Sequence, residues 1–298
     1  MTAGPITGTV LDHVAHAVPR WQDVWGRYAT EFGAEWSSGG PGPGFAPAQL
    51  RFANGARVEV LMPNDVDAND FLARFLVHNG AGPHHVTFKV PDLERAIGLV
   101  REHGVDPIGI DVSDPEWLEA FIHPKKASGV VVQLAQQSVA WSSPAPGDYP
   151  TARRQRRDGS GTVPPASLLR VTHAVADLDA ALALFCSLLG GVVGASGSSR
   201  GVRWAELDWP GPLGIRLVAD ADAGRGTQHG PLSSWLGGRT GRVHHLELTS
   251  QEPDTIRHAH RHASDVVVTR PWAEGSEDVW EIDPADNFGL RLVVHPPR

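Results

Sequence analysis

A single cysteine stands among 298 residues. Cys186 has no possible partner within the chain, which excludes an internal disulfide scaffold and a zinc site built on several thiolates. No stretch approaches the roughly 18 consecutive apolar residues that a membrane-spanning helix needs. The first residues lack the basic and apolar regions of a secretory signal, so a cytoplasmic protein with no membrane partner is expected. Excess positive charge is missing too: the formal net charge is −8, which argues against a nucleic-acid partner. Histidine, by contrast, is plentiful at 15 residues, and any metal must be held by imidazole and oxygen donors. With 41% apolar residues, 33 Gly and 24 Pro, the composition is that of a globular protein with frequent turns, long enough for two domains.

The compositional break falls at residues 138–167, which are dense in Pro, Gly and Ser and lack an apolar period. With its basic run Arg153, Arg154, Arg156 and Arg157, the segment reads as a solvated linker. On either side an apolar strand ending in a polar turn recurs, as LDHVAHAVPRW, PHHVTFKVPDLERA, LLRVTHAVADLDAA and VHHLELTSQEPDTI. Each copy is followed by a helix-period stretch and short strands. The third positions of these strands are His13, His85, Arg170 and His245; the matching positions of the last strand in each unit are Glu59, Gln133, Arg216 and Arg291. Their separations are 46, 48, 46 and 46 residues. The regularity predicts an α+β protein of two tandem modules, 8–137 and 168–296, each made of two repeated units. Helices are predicted over 92–103 and 179–189, with Cys186 a core thiol beside the apolar stripe of the second.

Strand alternation places His13, Ala15 and Ala17 on one face and Asp12, Val14 and His16 on the other. If the four marked strands of the first module line one curved sheet, His13, Glu59, His85 and Gln133 converge. Two imidazoles, a carboxylate and an amide oxygen form a mixed site for one divalent ion, whether Mn, Fe, Co, Ni, Zn or Mg.

The stretches LDHVAHAV (11–18), VEVLMP (58–63), NGAGPHHVTFKV (79–90) and FIHPKKASGVVVQL (121–134) cover most of the first module. This module resembles the vicinal oxygen chelate superfamily of glyoxalases, bleomycin-resistance proteins and extradiol dioxygenases, and within it the methylmalonyl-CoA epimerase-like members. The resemblance implies paired βαβββ units forming a cup-like mixed sheet with outer helices around one metal, a helix over 70–78, and a monomer or homodimer acting on a small molecule. His85 rather than His84 takes the ligand position because it aligns with His13, and His84 is expected to face away. The epimerases carry Gln at the second ligand position and Glu at the fourth; here Glu59 and Gln133 are exchanged. Gln133 cannot take a proton, which leaves Glu59 as the candidate base. The resemblance thus implies an isomerase or epimerase working through a metal-stabilised enolate of an oxo acid or acyl thioester. Fe(II)-dependent dioxygenase and ligand-sequestering binding protein stand as alternatives.

The second module differs. Arg170, Arg216 and Arg291 have no lone pair to offer a metal, so with His245 they outline either an anion site or arginines paired with carboxylates, of which Glu247 is one candidate. Gln49, Arg51, His123 and Lys125, with Lys126, are candidates to meet substrate, and residues 38–47 are expected to form a mobile loop over the cup. His258, His260 and His262 are expected on the solvated face of an outer helix. No Walker-type or dinucleotide fingerprint is present.

Overall fold

The computed structural model describes residues 4–221, 230–261 and 279–297. The first module contributes β1 (Val10–Ala17), β2 (Glu35–Gly39), β3 (Gly44–Arg51), β4 (Arg57–Asn64), β5 (Gly82–Lys89), β6 (Ile108–Asp114), β7 (Trp117–Ile122) and β8 (Val131–Gln137). They form one mixed sheet in the order β2-β3-β4-β1-β5-β8-β7-β6. Within each unit the first and last strands pair in parallel, β1 with β4 and β5 with β8, while the antiparallel β1·β5 pair joins the two units. The four strands carrying His13, Glu59, His85 and Gln133 are therefore neighbours at the sheet centre.

The second module repeats this with β9 (Ser167–Val175), β10 (Val192–Ser199), β11 (Val202–Asp208), β12 (Gly214–Asp220), β13 (Gly241–Thr249), β14 (Ala259–Arg261), β15 (Trp280–Ile282) and β16 (Leu292–His295). Its order is β10-β11-β12-β9-β13-β16-β15-β14.

Five α-helices accompany the sheets among the described residues. These are α1 (Gln22–Trp25), which widens into a π-type turn over Gly26–Glu31, α2 (Phe71–Asn79), α3 (Leu93–Glu102), α4 (Leu178–Leu182) and α5 (Pro231–Leu236). In α3 the Asp92 side chain accepts a hydrogen bond from the Arg95 amide, and Leu93, Ala96, Ile97 and Val100 are buried. The predicted helix over 179–189 is instead α4 followed by a π-type turn over Ala183–Leu188, and Cys186 lies half-buried against the core. Among the described residues, no helix is long and apolar enough to cross a membrane.

Three expectations are corrected. Residues 38–47 do not form one open loop: Ser38 and Gly39 pair with β3, residues 44–47 pair with β4, and only 40–43 lie between the strands. The basic run is not merely solvated: Arg154 donates to the Glu252 carbonyl and to Thr255 and Ser250, and Arg156 pairs with Glu252, so the linker is fastened to the second module. Finally, Ala259–Arg261, which includes His260, is an edge strand rather than a helix, and His258 precedes it with a left-handed backbone. His262 lies outside the described residues.

The modules share one hydrophobic core, in which Phe88 of the first meets Phe185 and Trp209 of the second. Their seam is reciprocal. His16 Nε2 donates to the Phe288 carbonyl at 2.9 Å, and His173 Nε2 reaches the Ser128 carbonyl at 2.8 Å. Beside these contacts Gly129 meets Gly241 and Gly289 meets Gly82, with Gly129, Gly289 and Gly82 at positive φ; a Cβ on Gly129 or Gly289 would overlap the opposing backbone.

Candidate metal centre

His13, Glu59 and His85 place one donor atom each within 4.8 Å of one another. Glu59 Oε2 lies 3.6 Å from His13 Nε2 and 3.4 Å from His85 Nε2. Metal–donor bonds of about 2.1 Å at tetrahedral to octahedral angles separate neighbouring donors by about 3.0–3.4 Å, so the trio is close to the spacing one ion requires. His85 Nε2 and Gln49 Oε1 are both buried with no hydrogen-bond partner. Leaving buried polar atoms unsatisfied costs about 1–3 kcal/mol each, and an ion or ligand in the cup would remove that cost. The residues fit a divalent cation.

Two strand irregularities build this centre, and both overturn the simple alternation rule. Between Leu11 and His13 the register against β5 slips by a residue, and it slips again between Val14 and His16, where β5 carries His84 and His85. Such bulges turn adjacent side chains toward a common side. Asp12 consequently does not face away: its Oδ2 lies 2.8 Å from His13 Nδ1, and its Oδ1 meets Arg57 at 3.0 Å and Lys89 at 3.1 Å. His84 likewise lies beside its neighbour, with 2.8 Å between the two Nδ1 atoms. One of these two nitrogens must carry the proton and the other accept it, so His84 sets the tautomer of His85.

Burial alone would lower the His13 pKa, but the carboxylates of Glu59 and Asp12 outweigh it and raise the value to about 9. Burial likewise opposes ionisation of Glu59 and is overcome by His13 and His85, which hold the carboxyl well below its ordinary range. Burial, reinforced by His85, lowers His84 to about 3.

Gln133 completes the convergence through Thr87. The Thr87 hydroxyl donates to Gln133 Oε1 at 2.6 Å, and its oxygen lies 2.8 Å from His13 Nε2. Gln133 Nε2 donates to Glu119 Oε2 at 2.7 Å, which fixes the orientation of the amide because a carboxylate can only accept. Gln49 joins by donating to Glu59 Oε1 at 2.7 Å. Arg51 does not join; it is exposed and pairs with Glu35. His123 and Lys125 also stay apart, exposed on the turn between β7 and β8 whose tip, Ser128 and Gly129, packs at the module seam. Thr87, Asp12, His84 and Glu119 were not anticipated as site residues. Thr87 was accessible as the next residue on the His85 face, whereas nothing in the residue pattern marks the bulges.

The matching cup of the second module holds its own counter-charges. Arg216 contacts Glu247 closely and binds Glu206 at 2.6 Å, Arg170 spans Glu206 at 3.1 Å and Asp208 at 2.9 Å, and Arg291 meets Glu281 at 3.0 Å. Four carboxylates thus surround three guanidinium groups, Glu247 with Glu206, Asp208 and Glu281, so the arginines are paired with carboxylates within the cup. His245 is fully buried and 3.4 Å from Glu247; burial, His244 and Arg216 drive its pKa well down. An internal ion pair stands where the first module gathers metal donors.

Comparison with known proteins identifies the family. The sequence model of the Glyoxalase/Bleomycin resistance protein/Dioxygenase superfamily matches residues 12–121. The human mitochondrial methylmalonyl-CoA epimerase is 30% identical over 141 residues, 44% of this chain and 78% of that protein. The ethylmalonyl-CoA/methylmalonyl-CoA epimerase of Cereibacter sphaeroides is 31% identical over 134 residues, 42% of this chain and 96% of that protein. Among solved structures, a methylmalonyl-CoA epimerase from Mycobacterium tuberculosis superposes with a TM-score of 0.40 at 25% identity, covering 47% of this chain and 93% of that one. The chain belongs to the glyoxalase/bleomycin resistance protein/dioxygenase superfamily.

Proposed function

We propose that the first module is a divalent-metal-dependent epimerase or isomerase acting on a small acyl thioester, with His13, Glu59 and His85 holding the ion and the Gln133 amide oxygen beside them. The reading is carried by the buried trio of donor atoms, with His85 Nε2 lacking a hydrogen-bond partner. Kinship with two acyl-CoA epimerases supports the substrate class. When bound, the ion would polarise the substrate carbonyl and favour the negative charge that develops on its oxygen as the α-proton leaves.

The protein's own residues prepare that event. Asp12 and His84 hold the two imidazoles from behind, which restricts ring rotation and selects the nitrogen facing the cup. Gln49 and Thr87 orient the donor side chains by hydrogen bonds. The helix α2 packs Leu72 onto Ala15, Ala17 and Leu61, with Phe45, Phe71 and Phe75 around them, so that end of the cup is apolar. Glu59, between two imidazoles that depress its pKa, is suited to ligation and poorly suited to accepting a proton at neutral pH.

Isothermal titration with Mn²⁺ tests the assignment. The His13→Ala, Glu59→Ala and His85→Ala proteins should each lose at least 100-fold in affinity; unchanged binding in all three would refute it. Two histidines and one carboxylate are also the donor set of non-haem Fe(II) oxygenases. Metal-dependent oxygen consumption would favour that second reading.

A further inference from the structure

If the module is an epimerase, Glu59 as a ligand leaves the proton-transfer step without an owner. The six strands that wall the cup, β3, β4, β1, β5, β8 and β7, carry three carboxylates in all: Asp12, Glu59 and Glu119. Asp12 is engaged by His13, Arg57 and Lys89, which occupy both of its oxygens. Glu59 sits between the two imidazoles of the metal cluster.

Glu119 differs from both. It lies outside the metal cluster, is half-buried, and receives two neutral donors on one oxygen: Gln133 Nε2 at 2.7 Å and Trp117 Nε1 at 2.8 Å. Its other oxygen, Oε1, accepts no hydrogen bond from the described residues, and no cation among them pairs with it. The side chain is held in place, because Trp117 is itself stacked on Trp141 of the linker, with ring centroids 5.0 Å apart. It is also linked to the centre, since a continuous chain of hydrogen bonds runs from Glu119 through Gln133 and Thr87 to His13.

We propose that Glu119 is the catalytic base of this site, replacing in function the carboxylate that Gln133 cannot supply. The assignment rests on the epimerase reading. In the step it performs, the substrate's α C–H bond breaks and an O–H bond forms on Glu119 Oε1. The C–H electron pair becomes the carbon–carbon double bond of the enolate as the carbonyl π pair moves onto oxygen. Return of a proton to the α-carbon reverses these movements and leaves Glu119 ionised, with no oxidant or reductant consumed. Because Glu119 is partly open to solvent, the proton it carries exchanges before it returns.

The test uses full-length protein loaded with Mn²⁺ and methylmalonyl-CoA in D₂O, following loss of the α-proton signal by NMR on samples quenched and stripped of metal. Glu119→Gln, which keeps size and an accepting oxygen, should slow exchange by about 10²–10⁴-fold, with Mn²⁺ affinity and melting temperature close to those of the wild type. Glu119→Asp should recover part of the rate. Exchange within about threefold of wild type in Glu119→Gln overturns the proposal, as does a parallel loss of Mn²⁺ affinity, which would make Glu119 a ligand. Absence of exchange in the Mn²⁺-loaded wild type refutes the epimerase reading itself, and the base assignment falls with it.

Discussion

Acidification should destabilise the fold, and two histidines at the seam between the modules supply a defined share of the effect. Burial lowers the pKa of His16 to about 4, the hydrogen bond to the Phe288 carbonyl opposing only in part; burial lowers His173 to about 4 in the same way against the Ser128 carbonyl. In the unfolded chain both titrate near 6.5. Between pH 6.5 and 4 the unfolded chain therefore binds more protons than the folded one, and stability falls as pH falls. The stabilisation is complete above pH 6.5. By pH 5 a shift of this size has removed about 2 kcal/mol per ring, or about 4 kcal/mol for the pair, against a total stability on the order of 5–15 kcal/mol. Urea unfolding followed by tryptophan fluorescence at pH 7.5 and pH 5.0 reads the difference directly. Replacing both rings, His16→Gln with His173→Gln, should shrink the pH-dependent loss by about 4 kcal/mol. Comparison within one protein across pH cancels the direct cost of the substitutions, and the other buried histidines contribute equally to both proteins. An unchanged pH dependence in the double variant would refute the reasoning.

Two other substitutions probe the remaining parts of the design. His84→Phe preserves the ring packing against Phe75 but removes the nitrogen behind His85, and Mn²⁺ affinity measured by titration should fall about 10–100-fold. In the second module, Glu247→Gln leaves the buried Arg216 short of its closest counter-charge and should cost about 3–5 kcal/mol in chemical denaturation, whereas Arg216→Met combined with Glu247→Leu should recover most of that loss.

The four-unit organisation was legible because repeated strands keep their spacing; the central strand positions of His13, Glu59, His85 and Gln133 follow from it, and the sheet order places them side by side. Local cap chemistry was equally readable at Asp92 and α3. What escaped depends on one-residue departures from regularity or on contacts distant in sequence. A bulge leaves no mark in an apolar pattern, so Asp12 and His84 were assigned to the wrong face. The arginine cup seemed short of counter-charge because Glu206 and Glu281 lie on neighbouring strands, and only strand pairing brings them to Arg216 and Arg291. Glu119 escaped for a related reason: it sits one strand away from the ligand position it contacts, and pairing of β7 with β8 is what delivers it to Gln133.

Metal-dependent proton chemistry in the first module is the central assignment. Its most direct measurement is solvent deuterium incorporation at the α-carbon of methylmalonyl-CoA by wild-type protein, compared after complete chelation and after reconstitution with Mn²⁺. Enzyme-catalysed exchange that disappears on chelation and returns with the ion is the result expected. No exchange above the buffer rate in the reconstituted protein, or exchange indifferent to metal, would contradict it.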